Sequence, residues 1–172
     1  MQKEIQIDII QVHAPKEDKM SQMLPNWLGK KRTYNRNFID KEIIKWDVLY
    51  ISSKQRLKVK FISVNSENRQ GIRVAIDAGK GILTLNGVSG QEFYLWEDEC
   101  PQEFEIECDS DEGFLSVYNV FERNEHGIMR RHSQMDYSGM ILERNGNIYR
   151  YKCNDTGKNT NFDKLIFEIE LL

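Results

Sequence analysis

Cysteine and proline are scarce in this chain, each occurring only three times in 172 residues. The thiols, Cys100, Cys108 and Cys153, leave one unpaired in any disulfide scheme and show no CxxC spacing, which argues against a disulfide-stapled scaffold and against a zinc site. Histidine is equally rare, and His13, His126 and His132 stand at no spacing that would join two of them on one strand face. No GxSxG elbow occurs to activate a nucleophile. The glycines at 79, 81, 87 and 90 lack the following Lys-Ser/Thr and the helix that would cradle a phosphate. No apolar run approaches the ~20 residues of a membrane span. The opening Met1–Asp8 stretch alternates polar and apolar residues where a secretion signal would be continuously apolar. It reads as a first β-strand, and the expected compartment is the cytoplasm of a bacterium, with no membrane partner. Positive charge is not in excess either: the net charge of −3 counts against a nucleic-acid partner, which requires surplus Lys and Arg to neutralise phosphates.

What the chain does have is a period of two. Ile5, Ile7 and Ile9 alternate with Gln6 and Asp8, and Phe104-Glu105-Ile106-Glu107-Cys108 sends apolar side chains one way and glutamates the other. Cys108 shares its parity with Phe104 and Ile106, so it is expected as a small buried apolar residue. The clearest case is Leu165-Ile166-Phe167-Glu168-Ile169-Glu170-Leu171, with Leu165, Phe167, Ile169 and Leu171 on one face. Helical spacing is confined to a short amphipathic candidate between Pro15 and Pro25 and a single turn near Asp40 to Ile44.

Turn chemistry punctuates these strands. Asn145-Gly146 predicts a type I′ hairpin, because both residues accept the positive φ angles that turn needs. Asp109–Gly113 predicts a second hairpin, and glycines between 79 and 90 bound the short strand Ile82–Leu85. About ten strands at a spacing of 8–12 residues make an all-β antiparallel sandwich or jelly roll, with a barrel as the alternative, filling residues 1–172 as one domain.

Four segments are candidates for chemistry. Between Cys153 and Asp163, the side chains of Asn154, Asp155, Asn159, Asn161 and Asp163 concentrate oxygen donors within ten residues. A set of this kind can converge on Ca²⁺, and with only two carboxylates it predicts weak binding. The competing reading is a loop whose Asn and Asp side chains satisfy their own backbone. The basic runs Lys30-Lys31-Arg32 and Arg130-Arg131-His132 read most simply as solvated loop or strand edge. Trp27 beside Lys30, Lys31 and Arg32 has the composition of a binding surface. Trp96-Glu97-Asp98-Glu99 offers carboxylates for half of an acid–base pair, and Trp27, Trp46, Trp96, Tyr94, Tyr149 and Tyr151 offer rings for a sugar platform or a core.

The stretch Tyr149-Arg150-Tyr151-Lys152-Cys153-Asn154-Asp155, followed by Phe162-Asp163-Lys164-Leu165-Ile166-Phe167, resembles the ending of uncharacterised bacterial β-domains. That ending reads Tyr-Arg-Cys-Asn-Asp, an acidic gap, then Phe-Asp-Asp-Leu-Val-Phe. The resemblance covers only the last twenty-odd residues and implies a fold more than an activity. Here Lys-Asn-Thr-Asn fills the gap and Lys164 stands in for a carboxylate, which removes negative charge from the loop.

With no catalytic constellation and no cofactor motif, the expected function is non-catalytic: a domain binding another protein, in the manner of an inhibitor or immunity protein. A carbohydrate-binding module steadied by a weak calcium site is the second reading, and a jelly-roll glycoside hydrolase the third.

Overall fold

The computed structural model describes residues 31–76, 80–157 and 160–172. The strand expected at Met1–Asp8, the helix expected between Pro15 and Pro25, and Trp27 and Lys30 lie outside these residues. Thirteen strands run antiparallel: β1 (Thr33–Tyr34), β2 (Ile44–Tyr50), β3 (Lys54–Val64), β4 (Arg69–Ala75), β5 (Gly81–Leu85), β6 (Val88–Gly90), β7 (Glu92–Trp96), β8 (Glu103–Ser110), β9 (Phe114–Glu125), β10 (Ile128–His132), β11 (Gly139–Asn145), β12 (Ile148–Asn154) and β13 (Leu165–Leu171). Among the described residues there is no helix, and the turn expected at Asp40–Ile44 is a bend leading into β2.

The sheet runs β6-β5-β8-β3-β13-β12-β11-β2-β9-β4-β7, with β1 added beside β2 and β10 beside β9. It is nearly closed and barrel-like. The strand that makes this geometry is β2. Its first residue, Ile44, pairs with Met140 of β11, and Asp47–Tyr50 pair with Leu115, Val117 and their neighbours on β9. One strand thus turns the corner between two layers, the usual way an antiparallel sheet folds back on its own core.

Alternation places the core as the sequence implies. Leu57, Val59 and Phe61 on β3, Phe104, Ile106 and Cys108 on β8, and Leu165, Phe167 and Ile169 on β13 all face one apolar cluster. They meet there Ile72 and Val74 of β4 and Leu115 and Val117 of β9. The Phe167 ring stacks on Tyr151 at 4.8 Å between centroids, and both are fully buried. All three cysteines are buried and free.

Two turns differ from the expected ones. The Asn145-Gly146 hairpin forms, but its last pair is Asn145↔Ile148, so the loop is Gly146-Asn147. Only Gly146 has positive φ (60°), the sign pattern of a type II′ turn. The Asp109–Gly113 segment reverses the chain without making a hairpin. β8 lies between β3 and β5, whereas β9 lies between β2 and β4, so the segment steps from one layer to the other. Ser110 Oγ accepts from the amides of Gly113 and Phe114, and the Asp111 backbone amide donates to the Lys80 carbonyl.

Candidate interaction surface

Within the 154–163 loop Asp155 is engaged with the protein itself, while Asn154 Oδ1 and Asp163 Oδ1 are buried with no hydrogen-bond partner. Asp155 is buried (2% exposed), and its Oδ2 accepts from Ser66 Oγ (2.5 Å), Asn68 Nδ2 (3.1 Å) and Gln70 Nε2 (3.0 Å). Its Oδ1 accepts from the Thr156 amide. Donors occupy that carboxylate where a cation's ligands would have to remain bare. Asn154, also buried, donates to the Tyr137 carbonyl, and Asp163 accepts from Asn65 Nδ2. Asn161 is exposed, and Asn159 lies outside the described residues. The loop ties β12 and β13 to the β3–β4 connection. No group of three or more His, Cys, Asp or Glu side chains is placed to hold a metal among the described residues.

The basic run near the start divides. Lys31 is exposed, while Arg32 Nε lies 2.6 Å from Asp47 Oδ1. Asp47 is fully buried at the β2 corner, where it also accepts from the Tyr151 hydroxyl (2.7 Å) and from the Val48 amide. Burial and the Asp47 charge hold the Tyr151 phenol well above its ordinary pKa. Arg32 is therefore an anchor that neutralises a core carboxylate.

The rings considered for a sugar platform are mostly covered. Tyr94, Trp96, Tyr149 and Tyr151 are buried, and Trp46 is half-buried against Tyr118. Three of these rings, Trp46, Tyr94 and Trp96, share with Tyr118 the face of β2, β9, β4 and β7 that carries Gly71 and Arg73, opposite Ile72 and Val74. Here Arg73 lies over both Trp46 and Tyr118 at 5.1 Å, bonds Ser116, and pairs with Glu92. Arg69 lies over Trp96 at 4.5 Å and gathers Asp98, Glu99 and Glu122. This absorbs two carboxylates of the Trp96–Glu99 segment into ion pairs. Gly71 allows the arrangement, because a Cβ there would sit 2.7 Å from the Leu95 carbonyl and 2.8 Å from the Trp96 ring. Burial pushes the Glu92 carboxyl up, yet Arg73, Tyr94 and Arg131 together hold it below the usual carboxylate range.

This face ends at the β9–β10 hairpin, whose second strand has no buried residue. β9 is twelve residues long, and its last turn of pairing, Phe121–Glu125, is with β10 alone on that side. The two strands form an arm closed by His126-Gly127, both at positive φ (55° and 84°), the pattern of a type I′ turn. Histidine seldom takes that place, although it is enriched among the non-glycine residues found at positive φ. For that reason the hairpin is not readable from the usual Asn-Gly or Asp-Gly signal. Asn124 Oδ1 accepts from the Gly127 amide and closes the loop.

The arm is fixed at its base and bare at its tip. His132 stacks on the buried Phe121, and the Arg131 guanidinium lies 3.6 Å from the Tyr94 ring centroid. Glu125 is surrounded by Arg123, Arg130 and His132, and chiefly the Arg123 hydrogen bond holds its carboxyl below the ordinary range. Ile128 (57%), Met129 (55%) and the Arg130 side chain (60%) stand in solvent. The run Arg130-Arg131-His132 is thus a strand edge. Two apolar side chains precede it that the sequence analysis did not single out.

The remaining nucleophiles are closed off. Burial pushes the Cys100 and Cys108 thiols up to about 12, and Cys153, fully buried, is raised as well. Comparison with protein-family models, with curated proteins and with solved structures finds no match to this chain.

Proposed function

We propose that this chain is a non-catalytic, cytoplasmic protein-interaction domain that engages another protein through the β9–β10 arm. The observation that carries this reading is the exposure of Ile128 and Met129 beside Arg130 on a strand whose base is locked by Tyr94 and Phe121. An exposed apolar pair next to arginine, preordered by packing, has the composition of an interface core, and it costs little entropy to bind with. The acidic and thiol side chains support the same reading from the other side. Asp98, Glu99 and Asp155 are engaged by donors or arginine, and the thiols are buried. Buried free thiols fit a reducing compartment. Inhibitor- or immunity-type domains have this character, and such a role is the one we favour.

A photoreactive residue placed at Met129, with the chain expressed in its native cells, tests the reading. An adduct to a single protein species is expected at 129 and not from the same group placed at Glu105, on the wet face of β8. Adducts of equal yield from both positions, or from neither, would overturn it.

A further inference from the structure

We infer that β10 takes up its partner as an added strand, and that the partner segment is extended and acidic. The inference rests on the proposed protein-binding role and specifies its geometry and chemistry.

β10 pairs with β9 along one edge, and no described strand pairs with its other edge. The register fixes which groups that free edge offers. With a two-residue loop, the flanking pair Glu125↔Ile128 is the hydrogen-bonded one, and pairs then alternate along the ladder. Ile128, Arg130 and His132 therefore spend their backbone groups on β9, while Met129 and Arg131 point theirs outward. No hydrogen bond to either backbone occurs among the described residues. A segment laid antiparallel or parallel along this edge would find two amides and two carbonyls spaced for a sheet ladder, the arrangement by which extended peptides add to exposed edges.

Charge selects the class of segment. The arm carries Arg123, Arg130 and Arg131 against Glu122 and Glu125, an excess of one positive charge. The arm is therefore locally positive on a chain of net charge −3. Two copies of β10 brought edge to edge would place arginines against one another, and like charges opposite one another destabilise a ladder. Self-pairing is disfavoured and carboxylate-bearing strands are favoured. Charge at an edge also serves simply to prevent aggregation, but protected edges do not expose apolar neighbours as Ile128 and Met129 are exposed here.

The test uses the full chain, isotope-labelled, and a short capped peptide of alternating valine and glutamate. The expected result is that peptide addition slows amide exchange at Met129 and Arg131 and leaves Ile128 and Arg130 unchanged, since those two are already bonded to β9. A peptide with lysine for glutamate should bind about tenfold more weakly or less, and the difference should shrink with salt. A peptide N-methylated on the edge that faces β10 cannot donate and should lose about tenfold in affinity. Met129→Pro, which removes an outward amide and no β9 bond, should reproduce that loss. Equal binding of the N-methylated peptide would overturn strand addition, leaving only charge attraction. Equal binding of the lysine peptide would overturn the acidic preference. Cross-linking at Met129 in cells that persists while exchange at Met129 and Arg131 is unaffected would overturn this inference and leave the protein-binding role standing. Absence of cross-linking at Met129 would instead overturn the role itself.

Discussion

β13 and β10 are both short strands rich in apolar and charged residues, and they have opposite fates. In β13 the buried positions alternate, and from Phe167 on the residue types do too, so Leu165, Phe167 and Ile169 enter the core while Glu168 and Glu170 pair with Arg150 and Lys58 in neighbouring strands. Both its edges are paired, with β12 and with β3. In β10 the apolar residues are adjacent and the charges follow as a block, Ile128-Met129-Arg130-Arg131-His132. Each face of such a strand carries an arginine, and among the described residues no strand pairs with its outer edge. The contrast teaches that in this chain the order of residue types, more than their proportions, decides between scaffold and surface.

Substitutions should split along that line. The largest effect is expected at Phe167→Ala, which removes a fully buried ring stacked on Tyr151 and should cost about 3–5 kcal/mol in denaturant unfolding. Glu168→Ala, in a half-exposed pair with Arg150, should cost under about 1 kcal/mol. Equal costs would mean that the alternation from Phe167 on does not define the buried face of β13. Next is Asp155→Ala, in the loop that delivers the chain to β13. It strands the donors of Ser66, Asn68 and Gln70 inside the protein and should cost about 2–4 kcal/mol, because an orphaned buried donor is expensive. A third effect appears with alkali. The Tyr151 phenol is raised in the folded state, so its contribution is complete below the unfolded tyrosine value of about 10 and is lost as pH climbs past that toward the folded value. Titrating stability between about pH 9 and 12 should show this fall, and Tyr151→Phe should make it shallower, leaving the part due to Tyr94 and the three buried thiols. On the β10 side, Ile128→Ser and Met129→Ser should each shift stability by no more than about 0.5 kcal/mol. A larger loss would make the arm part of the scaffold. Smallest of all, unfolding in chelator and in about 1 mM calcium should differ by a degree or two at most, since the Asp155 carboxylate is already occupied by donors. A larger rise, abolished by Asp163→Ala, would make the 154–163 loop a cation site after all.

The fold class was legible because alternation survives in β3, β8, β12 and β13, where one face is wet. It was less legible in β4 and β9. There Arg73, Asn119 and Ser116 are buried through hydrogen bonds and ion pairs, and both faces are covered. Polar letters in those strands read as solvent-facing when they are not. The Asp109–Gly113 turn shows a second limit: local chemistry predicts that the chain reverses, but which strand it then pairs with depends on residues far away. The arm was hidden for a local reason, since His126-Gly127 is an uncommon solution to a common turn. Its edge was visible only as a basic run. The 154–163 loop attracted attention for its density of Asn and Asp, and its partners Ser66, Asn68 and Gln70 lie nearly ninety positions earlier in the chain, where no spacing rule connects them.

The pairing of β3 with β13 also imposes a wait. Phe61 and Phe167 meet in the sheet, yet more than a hundred positions separate them. At ordinary rates of synthesis, about 5–20 residues per second, β3 spends roughly 5–20 seconds with one side unsatisfied after it is made. β8 arrives sooner and can cover the other side. During that interval Leu57, Val59 and Phe61 form an apolar row on a half-finished sheet, and the alternating lysines Lys58 and Lys60 are what keeps it from pairing with a stranger.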